Sequence, residues 1–517
     1  MSARHRAMVT ATLATAALVT PLLIAGPATA GNHHPSWANK GDALARKLVK
    51  EATAKDAYRH LKVFQAIADR NGDTRVAGSD GHKLSALYVE AVLKAAGYKT
   101  TRHAFDFVYT EEIAETLSVV SPTPRDIPVQ LMTYTASGPE GGVTADVAVA
   151  PVDADGTNGC EATDFAAGAF TGKIALIKRG GCTFAVKQTN AAAAGAVGAV
   201  IYNNTEGALN GTIGDATLGK IPTGGVTQAD GEALAAEAAA GPVKVTLDIR
   251  ELREDRTTYN VVAETRGGDA DNTVFLGAHL DSVSDGPGIN DNGSGSAGIL
   301  QVAQELAKSK SKVKNKVKFA WWSAEEFGLV GSEAYVASLT EEQKKQIKLY
   351  LNFDMIASPN AAYFVYDGDD SDAVGAGPGP EGSAQLEKGI NDFLDSRSIP
   401  HEGTDFTGRS DYGPFIEVGI PSGGTFTGAE GIKSEAQAAK FGGQAGVAYD
   451  VNYHAPGDDI TNINMRAFDI NIDVIADAVG HYAYDLAPLS EPVVSVPTDG
   501  DTGSGGGLHD GHDHVTE

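Results

Sequence analysis

Apolar positions fall into two kinds of pattern along this chain. Between residues 41 and 97 they recur at helical spacing: Leu44, Leu48 and Val49, then Tyr58, Leu61, Phe64, Ile67 and Ala68, then Leu84, Tyr88 and Leu93. That spacing lays one apolar stripe along each of several helices. Between the last two runs, Arg75-Val76-Ala77-Gly78-Ser79 reads as a turn. From residue 260 onward the pattern changes to short apolar runs without alternation, the mark of buried strands. These runs are 260–264, 274–278, 317–322, 349–353, 363–366 and one near 419–425. Helical patterns separate them: one opens at Ser294 and carries Ile299, Val302, Ala303 and Leu306, another covers 385–394, and a last covers 464–484. Strands alternating with helices predict an α/β fold, a mostly parallel mixed sheet flanked by helices.

The stretch between residues 126 and 249 breaks this rhythm. Prolines at 122, 124 and 128 open it, and it is rich in Ala, Gly, Val and Thr. Strands are predicted at 143–149, 174–177, 197–202 and 243–247, with a helix at 184–194, so the stretch reads as a separate, β-rich module. Past Pro488 the chain has no Lys or Arg and many Gly. Such a tail buries too little surface to fold, and residues 490–517 are expected to be disordered. Its His509, His512 and His514 are expected to be merely solvated.

Composition narrows the function classes. The 517 residues suffice for two or three domains, and 42% are hydrophobic, enough for a large core. Acidic residues outnumber basic ones 67 to 41, a formal charge of −26. That charge repels nucleic acid and anionic membrane surfaces. Residues 1–30 have the form of a signal peptide: a basic start at Arg4, His5 and Arg6, an apolar run to Ile24, and Ala28-Thr29-Ala30 before Gly31. The mature protein is therefore expected to be secreted, extracellular and free of the membrane. Cys160 and Cys182 then face an oxidising compartment and can pair.

The candidate chemistry sits at predicted strand ends. His279 and Asp281 follow the strand at 274–278, and Asp291 lies on the Gly/Pro/Asn/Asp loop that leads to the next helix. Open α/β sheets hold their ligands at such a rim, and imidazole with carboxylate is a donor pair that zinc accepts. On that stretch alone, two ordinary polar loop residues would serve equally well. Two further strand ends add to it. Glu325 and Glu326 follow the strand at 317–322, Asp354 follows 349–353, and Tyr453-His454 precede the final helix.

This series, as GAHLDS, GINDNGSG, WSAEEFGLVGS, LNFDMI and NYHAPGDDITNIN, resembles the zinc-dependent aminopeptidases of the M28 metallopeptidase family, of the secreted bacterial leucine-aminopeptidase type. The likeness covers residues 40–125 and 250–489, which it marks as a discontinuous catalytic domain. Within 126–249, the segment GKIALIKRGGCTFAVKQTNAAAAGAVGAVIYNN resembles the protease-associated (PA) domain. Cys160 and Cys182 both fall inside it, and the bridge expected there leaves the metal site free of sulfur.

The family resemblance implies two zinc ions per chain, one taking His279 and Asp354, the other Glu326 and His454, with Asp291 between them. Zinc lowers the pKa of water to near 7, giving a nucleophile at neutral pH. Glu325 matches the family's non-ligand carboxylate and is the implied general base. Asp281 is expected to orient His279, and Tyr453 to donate to the developing oxyanion. Arg409 is implied in contact with the substrate backbone and Phe426 in a pocket for an apolar first side chain. A site this rich in carboxylates favours a protonated α-amine, hence peptide and protein N-termini as substrates, met by a monomer. Calcium binding is left open. Where some relatives flank the Tyr-His pair with cysteines, this chain has Asn452 and Gly457. Two other readings are a metal-free receptor of the same architecture and a single-zinc glutaminyl cyclase-like enzyme. The complete ligand set and Glu325 favour the peptidase.

Overall fold

The computed structural model describes residues 36–493 other than 216 and 376. The expected signal peptide and nearly all of the expected tail, with its three histidines, lie outside the described residues.

The predicted helical entry forms three helices, Trp37–Glu51, Ala54–Ala68 and Asp80–Ala96. Thr53 and Ser79 cap the second and third by accepting from the backbone N–H three residues on, as short hydroxyl side chains do at an N-cap. They pack with the helices Gly293–Ser309 and Met465–Tyr482 on one face of the sheet, burying Leu48, Phe64, Leu300 and Ile475 completely. The opposite face is aromatic: Phe275, Trp322, Tyr350 and Phe415 pack there, and the rings of Tyr350 and Phe415 stack at 3.8 Å. A sheet covered on both faces explains why its strands read as continuous apolar runs.

Three parallel strands lie side by side at the centre, in the order Ile347–Phe353, Asp269–His279, Asn315–Trp322. Ser422–Phe426 extends the parallel set on one flank. The mostly parallel mixed sheet flanked by helices is thus present. Registration of Trp322 opposite His279 brings the carboxyl ends of these strands to one level.

One feature departs from expectation. The predicted strands at 243–247 and 260–264 belong to one strand, Lys244–Glu264, and Lys99–Ser121, which carried no strand prediction, pairs antiparallel with it along its whole length. Phe105, Phe107 and Tyr109 alternate on one face of this ribbon and join a small core with Val76 and Phe327, but the stripe is short: charged residues at 111, 112 and 115 follow it, and Val108 and Ile113 are exposed. The ribbon also carries the sheet across the two modules. Val143–Val149 pairs with its Lys244 end, and Ile174–Lys178, Gly198–Tyr202 and Thr223–Val226 follow in parallel order. The helix Phe184–Ala193 and a second, Gln228–Ala240, cover that extension, which has apolar cores on both its faces. Cys160 and Cys182 are bonded within it, with Cα atoms 5.8 Å apart. Among the described residues no helix is long and apolar enough to cross a membrane.

Candidate active site

His279 is the last residue of its strand, and Glu325, Glu326 and Asp354 lie one to four residues beyond the ends of the strands on either side. Parallel neighbours in register therefore gather residues that lie up to 75 positions apart in sequence. Asp291 and His454 come from loops that are tied to one another. The carboxylate of Asp458 accepts from the backbone N–H of Asn290 at 2.8 Å and of Asp291 at 2.9 Å. Asn292 caps the helix Gly293–Ser309 and also donates to the carbonyl of Phe353 at 2.9 Å, stitching the Asp291 loop to the Asp354 strand. The guanidinium of Arg75 is wholly buried and donates to the carbonyls of Leu280, Pro287 and Gly288, so the turn 75–79 braces this loop from below.

The side chains meet in two groups that share one member. His279 Nε2 lies 3.1 Å from Asp291 Oδ1 and 3.3 Å from Asp354 Oδ1. His454 Nε2 lies 3.3 Å from Asp291 Oδ2 and 3.1 Å from Glu326 Oε2. Each oxygen of Asp291 thus faces a different imidazole. In both groups the donor atoms all lie within 4.8 Å of one another, a spacing that one cation can span. Glu326 Oε1 and Asp354 Oδ1 are buried without a hydrogen-bond partner, whereas Asp354 Oδ2 accepts from Ser410 at 2.6 Å. Buried carboxylate oxygens without donors are costly unless a cation meets them, so the donor set fits a pair of metal ions.

Without a cation, the imidazoles and carboxylates of the cluster pair with one another. Burial opposes the charge on Asp291, yet the two imidazoles outweigh it and hold this carboxyl below its usual range. Burial lowers the affinity of His454 for a proton, but Glu326 and Asp291 overcome it and raise its pKa to about 11. Glu325 differs from the rest. Burial pushes its carboxyl well above the usual value, His279 pulls it down, and Asp411, Asp354 and Glu326 push it up again. Its Oε2 stands 3.9 Å from His279 Nε2, at the edge of the cluster.

The structure also places the remaining predicted residues. Asp281 is completely buried, but its carboxylate is 3.8 Å from His279 Nδ1, too far for a hydrogen bond. Its backbone carbonyl stands closer, at 3.2 Å, and its Oδ1 accepts from the Glu325 N–H at 3.4 Å. The Tyr453 ring stacks on that of His454, 3.8 Å between centroids. Arg409 donates to Tyr453 Oη at 3.2 Å and to Glu430 at 2.8 Å. Phe426 stacks on Phe364 in the wall of a cavity of about 830 Å³, which opens over both donor groups. Where cysteines were absent from the His454 loop, amides and carboxylates hold it. Asn452 donates to Asn462 at 2.7 Å, and Asn462 donates to both Asp450 and Asp458.

Arg75, Ser410, Glu430 and Asp458 were not singled out in the sequence. Asp458 lies in the quoted PGDD stretch and Ser410 directly follows Arg409, so position was the available signal. Arg75 had none, because its partners are backbone carbonyls some 205–213 positions away.

The chain is similar to known proteins in sequence and in fold. The Peptidase family M28 profile matches residues 260–479, and the PA domain profile matches 143–234. Leucine aminopeptidase 2 of Trichophyton tonsurans is 45% identical over 451 residues, 87% of this chain and 88% of that protein. The solved aminopeptidase from Aneurinibacillus sp. strain AM-1 gives a TM-score of 0.63 at 29% identity, covering 85% of this chain and 95% of its own. A zinc aminopeptidase from Bacillus subtilis gives 0.57 at 27% identity, covering 83% of this chain and 94% of its own. Fold and likeness together define a peptidase. The chain belongs to peptidase family M28 and carries a PA domain.

Proposed function

We propose that the protein is a secreted aminopeptidase that uses two zinc ions to release large apolar residues from the N-termini of peptides and proteins. The observation that carries this reading is Asp291, whose two oxygens each face a separate His-carboxylate group. His279, Asp354 and Asp291 would hold one ion, and Glu326, His454 and Asp291 the other. When bound, such a pair acidifies water and polarises a carbonyl.

The chain's own groups account for the remaining steps. Glu325, held at the edge of the cluster by its backbone bond to Asp281, takes a proton from the attacking water and returns it to the leaving amine. Tyr453 donates its hydroxyl hydrogen to the oxyanion that develops on the substrate carbonyl. The carboxylates around the site attract a protonated α-amine and disfavour a C-terminal carboxylate. Phe426 and Phe364 present an apolar wall to the first side chain of the substrate. Secretion rests on the leader pattern of residues 1–30, and catalytic residues on the segments 40–125 and 250–489, with 126–249 as the PA module.

A panel of aminoacyl-p-nitroanilides, run with zinc analysis and with and without chelator, tests the proposal. Expected are about two zinc ions per chain, fastest release of leucine-type residues, and loss of activity on chelation. One zinc per chain with cyclisation of N-terminal glutamine would instead support the glutaminyl cyclase-like reading.

A further inference from the structure

The contact between Arg409 and Tyr453 constrains the direction of the Tyr453 hydroxyl hydrogen. A guanidinium has only donors. At 3.2 Å from Arg409 Nη2, the Tyr453 oxygen must therefore be the acceptor. Conjugation keeps a phenol's O–H bond in the plane of its ring, so its hydrogen has two favoured directions. The Tyr453 ring is itself fixed in place by stacking on His454 at 3.8 Å. With Arg409 engaging the oxygen, the hydrogen is turned away from the guanidinium, and Tyr453 forms part of the cavity wall over the two donor groups. Arg409 in turn is anchored by Glu430, whose carboxylate accepts from Nη1 at 2.8 Å. Both side chains are partly exposed, 29% and 34%, and both also line the cavity, so the pair is not core packing.

We propose that Arg409 and Glu430 are positioning residues that aim the hydroxyl hydrogen of Tyr453 at the reacting carbonyl. The assignment rests on the proposed aminopeptidase reading and replaces the expected contact of Arg409 with the substrate backbone. Without the guanidinium, the Tyr453 hydroxyl is free to rotate, and its donor is aimed only part of the time. Without the Glu430 carboxylate, Arg409 keeps its donors but loses the anchor that holds it at Tyr453. The effect belongs in kcat, because the oxyanion forms only as the carbonyl is attacked.

The test is a double-mutant cycle on the zinc-loaded, full-length enzyme with leucine p-nitroanilide. Tyr453→Phe is expected to lower kcat about 100-fold, the scale of losing one oxyanion donor. Arg409→Met should lower kcat about tenfold with KM changed less than about twofold, and Glu430→Gln about threefold, since residues acting as a unit share one loss. In the Tyr453→Phe background, adding Arg409→Met should cost less than about twofold more, because residues in one network are not additive. Arg409→Lys, which keeps one donor and the charge, should recover part of the loss. Multiplicative losses, an Arg409→Met effect carried by KM, or full kcat in Tyr453→Phe would each overturn the assignment in an enzyme that remains active. Absence of activity on every aminoacyl-p-nitroanilide in the zinc-loaded wild type would instead remove the aminopeptidase reading, and this assignment with it.

Discussion

The peptidase half and the PA half of the molecule share one hydrogen-bonded sheet, and each contributes parallel strands whose carboxyl ends lie side by side. Their strand ends differ in what they carry. In the peptidase half, His279, Glu325, Glu326 and Asp354 stand there, all buried, and Asp291 joins them from a loop. In the PA half the corresponding ends give Lys178, Tyr202 and Val226. That half does gather Asp153, Glu161 and Asp164, but no imidazole joins them, Glu161 is exposed, and the nearby buried Lys187 donates to the carbonyls of Asn158 and Gly180. The same architecture thus carries a cluster of imidazoles and carboxylates at its strand ends in one half, and in the other a rim of Lys178, Arg179 and Asn203 in which Arg179 donates to Asn203. Topology makes the rim, and side chains decide its use.

The difference can be broken at several points. Asp291→Asn should have the largest effect, since an amide cannot offset the charge of two cations: zinc content should fall and turnover with it, as metal analysis and p-nitroanilide release will register together. Glu325→Gln comes next. It should keep its zinc yet lose about 10²–10⁴-fold in kcat, the range for a general base, and near-wild-type turnover would remove Glu325 from that role. Phe426→Ala opens the apolar wall, so kcat/KM for leucine substrates should drop about tenfold relative to alanine substrates, as a change in pocket hydrophobicity does. The smallest effect on activity is expected in the PA half. Replacing Cys160 and Cys182 with Ser releases a bridge across 22 residues, worth about 2–4 kcal/mol in loops of this kind. Calorimetry should show a lower Tm, while activity on small substrates at 25 °C stays within about twofold.

Much of the peptidase half was legible because its strands are buried on both faces and end in ligating residues within a few positions. Asp354, Glu325 and His279 could be picked out without knowing which strands are neighbours. What escaped depends on pairing across long distances. The ribbon Lys99–Ser121 with Lys244–Glu264 alternates apolar residues only at Phe105, Phe107 and Tyr109 before the charges at 111, 112 and 115 interrupt the pattern, so periodicity marks a small part of its length. Ser410 and Arg75 act through hydrogen bonds to partners brought near only by the fold. Asp281 shows the same limit from the other side. Its spacing from His279 suggested a carboxylate-imidazole contact, yet the loop turns so that its carbonyl stands nearer and its carboxylate meets the Glu325 N–H.

The account rests on two cations flanking one carboxylate. Crystals grown with zinc, measured for anomalous scattering at the zinc absorption edge, test this directly. Two peaks are predicted, one against His279 and Asp354 and one against Glu326 and His454, both within bonding distance of Asp291. A single peak, or two peaks of which only one touches Asp291, would contradict it.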